Sequence, residues 1–145
     1  MFKVNIGTKE GKTYKLEAEA PKLVEKSLHD KIKGIEISPD LENYEFEIMG
    51  ASDVAGFTAM ENVEGIGLKK VMLKYGKGLH KKPKGIKKKG SKPKGLRLRK
   101  TVRGRTISSA IVQINLKTLK EGTKRLSEIF PEQNKPKEKT ETQTD

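Results

Sequence analysis

Apolar and polar residues alternate with a period of two along much of this chain, the pattern of strands that bury one face. Phe2, Val4 and Ile6 alternate with Lys3 and Asn5, and Tyr14, Leu16 and Ala18 alternate with Lys15 and Glu17. Between these runs, Thr8-Lys9-Glu10-Gly11 offers a short loop with the glycine a hairpin needs. Pro21 ends the second run. Leu23, Val24, Leu28 and Ile32 then recur at helical spacing and predict a short helix over 22–32, stopping near Gly34. Ile35 and Ile37 predict a brief strand before Ser38-Pro39-Asp40. Tyr44, Phe46 and Ile48, alternating with Glu45 and Glu47, make the clearest strand. Residues 50–67 hold four glycines and little periodicity, and read as a long loop.

Val71, Leu73 and Tyr75 predict another strand, and Val112, Ile114 and Leu116 a last one. Leu126, Ile129 and Phe130 fit one helical turn capping the core. Between the last two strands, residues 76–104 carry six glycines and two prolines, which excludes a regular helix. Several short strands with turn signals predict a mainly β fold: a small antiparallel, barrel-like domain over 1–130, with one or two short helices and a long basic loop at 76–104. From Pro131 the sequence has no apolar residue to anchor it, so 131–145 is expected to be a flexible polar tail.

Composition narrows the function. Of 145 residues, 35% are charged and 32% hydrophobic, enough for one modest core with part of the chain solvated or held by a partner. The absence of cysteine excludes disulfides, thiolate catalysis and thiolate metal sites. The N-terminal run alternates and does not resemble a signal peptide, and no stretch approaches the roughly 18 apolar residues of a membrane helix. A soluble, cytoplasmic protein is expected.

The net charge of +13 is very unevenly spread. Residues 1–68 balance to −5 and residues 106–145 to +1, while residues 69–105 hold 17 basic residues and no acidic one. On its own such a segment should repel itself into disorder, so it calls for a polyanion. An anionic membrane would favour an amphipathic helix with bulky apolar anchors, which the glycines and prolines forbid. Tyr75 is the segment's one aromatic, too few for a base-stacking platform. Thirteen of the 17 cations are lysine, which suits phosphate neutralisation better than base reading. The expected RNA-binding residues are Lys77, Lys81, Lys82, Lys84, Lys87, Lys88, Lys89, Lys92, Lys94, Arg97, Arg99, Lys100, Arg103 and Arg105. The arginines alternate near the last strand, so an extended backbone would set them on one face.

Catalytic readings are weaker. Gly7-Thr8-Lys9-Glu10-Gly11-Lys12-Thr13 resembles a phosphate-binding loop, but it has three residues between its glycines where the motif has four, and it precedes a strand. His29 and His80 stand apart from any ligand cluster and read as solvated or RNA-facing. Residues 69–105 offer no carboxylate and one histidine for acid–base work. No enzyme, cofactor, metal or small-molecule substrate is expected. A free-standing DNA- or polyanion-binding protein is the competing reading.

Two motifs carry a resemblance. Gly50-Ala51-Ser52-Asp53-Val54-Ala55-Gly56-Phe57, followed by Met60, resembles the Gly-Gly-x-Asp-x-x-Gly-Phe-Pro-Met signature of the archaeal and eukaryotic type of small-subunit ribosomal protein six. Arg99-Lys100-Thr101-Val102-Arg103-Gly104 is similar to that family's Arg-Lys-(Ser/Thr)-Val-Arg-Gly. The likeness covers about residues 1–122, with Gly-Ala for the first Gly-Gly and Thr58-Ala59 where the signature has proline. It implies a short, archaeal-type structural member of the ribosome. Small-subunit ribosomal RNA and neighbouring ribosomal proteins would be its partners, and subunit assembly its role. Gly50 and Gly56 would then provide positive φ, while Phe57 and Met60 would pack in the core.

Overall fold

The computed structural model describes residues 1–80 and 94–134. The described residues include seven strands and one α-helical turn: β1 (Phe2–Gly7), β2 (Thr13–Ala18), β3 (Lys31–Lys33), β4 (Glu45–Asp53), β5 (Leu68–Lys74), β6 (Arg97–Arg103), β7 (Ile111–Lys120) and α1 (Leu126–Ile129). They form a five-stranded sheet in the order β2-β1-β7-β4-β3 and a separate two-stranded ribbon of β5 and β6. The fold is mainly β, as the alternation predicts, but the sheet keeps two open edges and is not a closed barrel. Nor is it wholly antiparallel, since β1 and β7 pair in parallel at its centre, Val4 opposite Ile114.

One face of this sheet carries the main core. Val4, Ile6, Phe46, Ile48, Ile114 and Leu116 are all buried there. Tyr44 stacks on Phe46 with centroids 5.5 Å apart, and Leu126 of α1 closes one side with Ile129 and Phe130 packed behind it. The hairpin of β1 and β2 forms as expected, with Gly11 at φ +83° and Thr8 bonded to Lys12 across the loop. On the outer face, Asn5 and Gln113 both donate to the Asn115 side chain. β7 is phased slightly differently from its alternation: Ile111 is buried, and a register shift at Ser52/Asp53 displaces Val112.

The helix expected over 22–32 is absent. Pro21–Leu23 makes a single 3-10 turn, and Glu25 and His29 adopt left-handed φ values of +74° and +70°. The Glu25 and Leu28 amides donate to Ile107 and Arg105 instead of within a helix. The apolar spacing thus serves a segment crossing beside residues 105–107. The brief strand expected at Ile35 and Ile37 is a 3-10 turn, Gly34–Glu36, with Ile37 buried and Ile35 exposed. At the far end, polar side chains provide the anchor that apolar ones do not. The Gln133 amide both accepts from the Lys15 N–H and donates to its carbonyl, and Asn134 donates to Thr13. Residues 133–134 therefore cap the open edge of β2, while the rest of the tail lies outside the described residues.

Candidate nucleic-acid interface

β5 and β6 pair antiparallel, from Leu68 opposite Arg103 to Lys74 opposite Arg97. Alternation gives the ribbon two unlike faces. Leu73 and Val102 turn inward and join Val63 and Leu79 in a small buried cluster, with Met60, Val71 and Leu96 packed against it. The opposite face carries Lys70, Met72 and Lys74 from β5 and Arg97, Arg99 and Thr101 from β6. The four cations are exposed, and Met72 stands 59% exposed among them. Directly opposed side chains such as Lys74 and Arg97 sit with Cβ atoms roughly 5 Å apart, where like charges destabilise a sheet. Among the described residues, none of these four meets a carboxylate within salt-bridge distance. The expectation of disorder over residues 69–105 fails for the part that is described, because the Leu73–Val102 cluster and seven paired positions hold the ribbon together.

The ribbon is fastened by the two family motifs, which clasp each other. Arg103 Nε donates to Asp53 Oδ2 at 2.9 Å, with the Asp53 side chain 5% and the Arg103 side chain 18% exposed. The Phe57 N–H donates to Asp53 Oδ1, and Arg103 Nη1 to the Ile66 carbonyl. Burial pushes the Asp53 carboxyl up. The hydrogen bonds from Arg103 and Phe57, the Arg103 charge and the Ala55 amide outweigh it and hold the group below the ordinary carboxylate range. Around this pair, Arg103 bonds through its backbone to Thr58 and Met60, and Gly104 to Gly67. A Cβ on Gly104 would lie 1.8 Å from the Gly65 carbonyl oxygen, so only glycine fits this crossing.

The predicted residues fall into four groups. Arg97, Arg99, Lys77 and Lys94 are exposed on the ribbon or its ends. Lys100 is half-buried on the ribbon's other face, and Arg105 is exposed beyond its end, near residues 26–28. Arg103 is committed to Asp53. Lys81, Lys82, Lys84, Lys87, Lys88, Lys89 and Lys92 lie outside the described residues. Lys70 and Lys74 were missed, although the inward phase of Val71 and Leu73 already turns them outward. Gly56 takes φ +85° as expected, whereas Gly50 lies in β4 at a register shift without positive φ. Met60 packs on the small cluster. Phe57 joins neither core: the Asp53 carboxylate holds its amide, and the residue lines a cleft beside β6.

The histidines also have defined partners. His29 bridges Glu47 Oε1 through Nδ1 at 3.0 Å and Glu61 Oε2 through Nε2 at 2.9 Å, tying β4 to the loop before the ribbon. Hydrogen bonds to Glu47 and then Glu61 raise its pKa above the usual 6.5. It is exposed, as expected, with its side chain 42% accessible, and it pairs with two carboxylates. His80 sits edge-on to Tyr75, centroids 5.9 Å apart. Among the described residues no group of histidine or acidic side chains could hold a metal ion.

The fold and the site define a mainly β protein with a basic two-stranded ribbon. The family model for ribosomal protein S6e matches residues 2–131. Small ribosomal subunit protein eS6 of Methanococcus maripaludis strain C7 is 37% identical over 123 residues, covering 84% of this chain and 90% of that protein. The protein of that name from Methanocaldococcus jannaschii is 37% identical over 122 residues, 84% of each chain. The one from Archaeoglobus fulgidus is 36% identical over 135 residues, 89% of this chain and 95% of its own. The chain belongs to the ribosomal protein S6e family, with archaeal relatives; this is a family of structural small-subunit proteins of the cytoplasmic ribosome, not of enzymes.

Proposed function

We propose that this protein is a component of the small ribosomal subunit that binds ribosomal RNA through its basic ribbon and loop and supports subunit assembly. The observation that carries this reading is the ribbon's outer face, where Lys70, Lys74, Arg97 and Arg99 are exposed and unpaired, with Lys74 set against Arg97. Such a face is costly alone and becomes favourable beside crowded phosphates, whose bound counterions are released on contact. The loop lysines from Lys81 to Lys92, with Lys77, Lys94, Lys100 and Arg105, extend the same charge. Arg103 acts by fixing the ribbon to β4 of the sheet through Asp53. Exposed Ile66, Leu68 and Met72 beside the cations suit contact with a neighbouring ribosomal protein.

Sucrose-gradient fractionation of a lysate tests the reading. Co-migration with the small subunit at low salt, and release at high salt, is the expected result. Migration away from all ribosomal particles would overturn it in favour of a free-standing DNA- or polyanion-binding protein.

A further inference from the structure

A cleft of about 500 Å³ runs between the turn at residues 56–58 and β6. Its size is that of a small-ligand site. Phe57 and Thr58 line one side, and Lys70, Arg99, Lys100 and Thr101 line the other. Phe57 is half-buried and belongs to neither hydrophobic cluster. The Asp53 carboxylate holds its backbone amide at 2.8 Å, and the clasp with Arg103 holds that carboxylate. The backbone of Phe57 is therefore positioned by the Asp53–Arg103 clasp. The facing cations make no ion pair among the described residues.

An aromatic ring, cations and two hydroxyls around one concavity are the elements that receive an unpaired nucleotide. The base lies against the ring, the cations neutralise its flanking phosphates, and the hydroxyls meet base edges or a 2′-hydroxyl. We propose that this cleft takes a single unstacked nucleotide, bulged or looped out of an RNA helix whose phosphates lie along the ribbon. The inference rests on the RNA-binding reading above and adds to it a specific subsite. It distinguishes two roles within one surface. The ribbon face supplies affinity without regard to sequence, while the Phe57 cleft fixes the register at one unpaired position.

Two probes separate the roles: a short RNA hairpin with one bulged adenosine in its stem, and the same hairpin fully paired. The full chain should bind the bulged RNA roughly tenfold more tightly, the scale of one base stacked on an aromatic ring. Phe57→Leu should remove that preference and leave binding of the paired RNA unchanged. Phe57→Tyr, which keeps the ring, should retain the preference. In the wild-type protein the Phe57 ring-proton resonances should shift on adding the bulged RNA and stay in place with the paired one, a readout independent of how the variants fold. Equal, salt-sensitive binding of both RNAs with unmoved Phe57 resonances would overturn the nucleotide subsite and leave RNA binding by the ribbon intact. Failure to bind either RNA would overturn both.

Discussion

The five-stranded sheet and the β5–β6 ribbon solve opposite problems within one chain. The sheet buries a large apolar face and sets opposite charges across its strands, Lys3 opposite Glu17, Lys33 opposite Glu45 and Glu47 opposite Lys117. The ribbon buries four residues, Val63, Leu73, Leu79 and Val102, and leaves its cations unanswered. A region that satisfies its own charges can fold for itself. One that sets like charges opposite each other, as Lys74 and Arg97 are, carries a repulsion that a surface of the other sign would relieve. The Asp53–Arg103 clasp joins the two without adding exposed negative charge to the basic face.

Breaking the clasp should have the largest effect on stability. Asp53→Ala leaves the part-buried Arg103 without its carboxylate and should cost about 3 kcal/mol, measured by urea denaturation. Hydrogen exchange should then show the β5 and β6 amides losing protection before those of β1 and β7. The same pair sets an acid limit. Asp53 has a folded pKa below its ordinary 3.8, so its contribution is complete above that pH and disappears as pH falls through the lowered folded value. In Asp53→Asn this part of the acid dependence should be missing.

Leu79→Ala should cost about 2 kcal/mol by opening a cavity in the smaller core. It should loosen the ribbon more than the sheet, and equal loss of protection in both would mean that they are one cooperative unit. Gln133→Ala should cost about 1 kcal/mol or less, since it removes two hydrogen bonds at an exposed edge. It should also uncover β2 for edge pairing, visible as self-association in light scattering.

The smallest effect belongs to His29. Its folded pKa is raised, so its stabilisation is full below about pH 6.5, the ordinary value, and is lost as pH rises through the folded value. His29→Gln should flatten the dependence of the urea midpoint on pH over that window. An unchanged slope in the variant would show that the two carboxylates do not hold a charged imidazole.

Much of the sheet was legible because alternation reports a one-sided face directly, as at Phe2–Ile6 and Tyr44–Ile48. The 22–32 segment was not, because leucine and valine at helical spacing do not reveal that residues 105–107 compete for its amides. The parallel pairing of β1 with β7 is equally invisible, being a matter of chain topology over more than a hundred residues. The charge of the site was plain from the acid-free run of 69–105. Its geometry was only half readable. Arg97 and Arg99 do share a face, whereas Arg103, in the same alternation, is drawn to Asp53 fifty positions earlier. Both motifs were visible separately, but only the fold brings them into contact.

On the proposed function, the ribbon's exposed cations neutralise phosphate. The direct test is the salt dependence of binding to small-subunit ribosomal RNA, for the wild-type chain and for a variant with Lys70, Lys74, Arg97 and Arg99 all changed to glutamine. If 6–10 cations touch phosphate, wild-type affinity should fall about 10³–10⁵-fold between 50 and 200 mM salt. The log–log slope of the variant should be shallower by roughly one for each cation removed. Equal slopes for the two proteins, or an affinity nearly independent of salt, would contradict it.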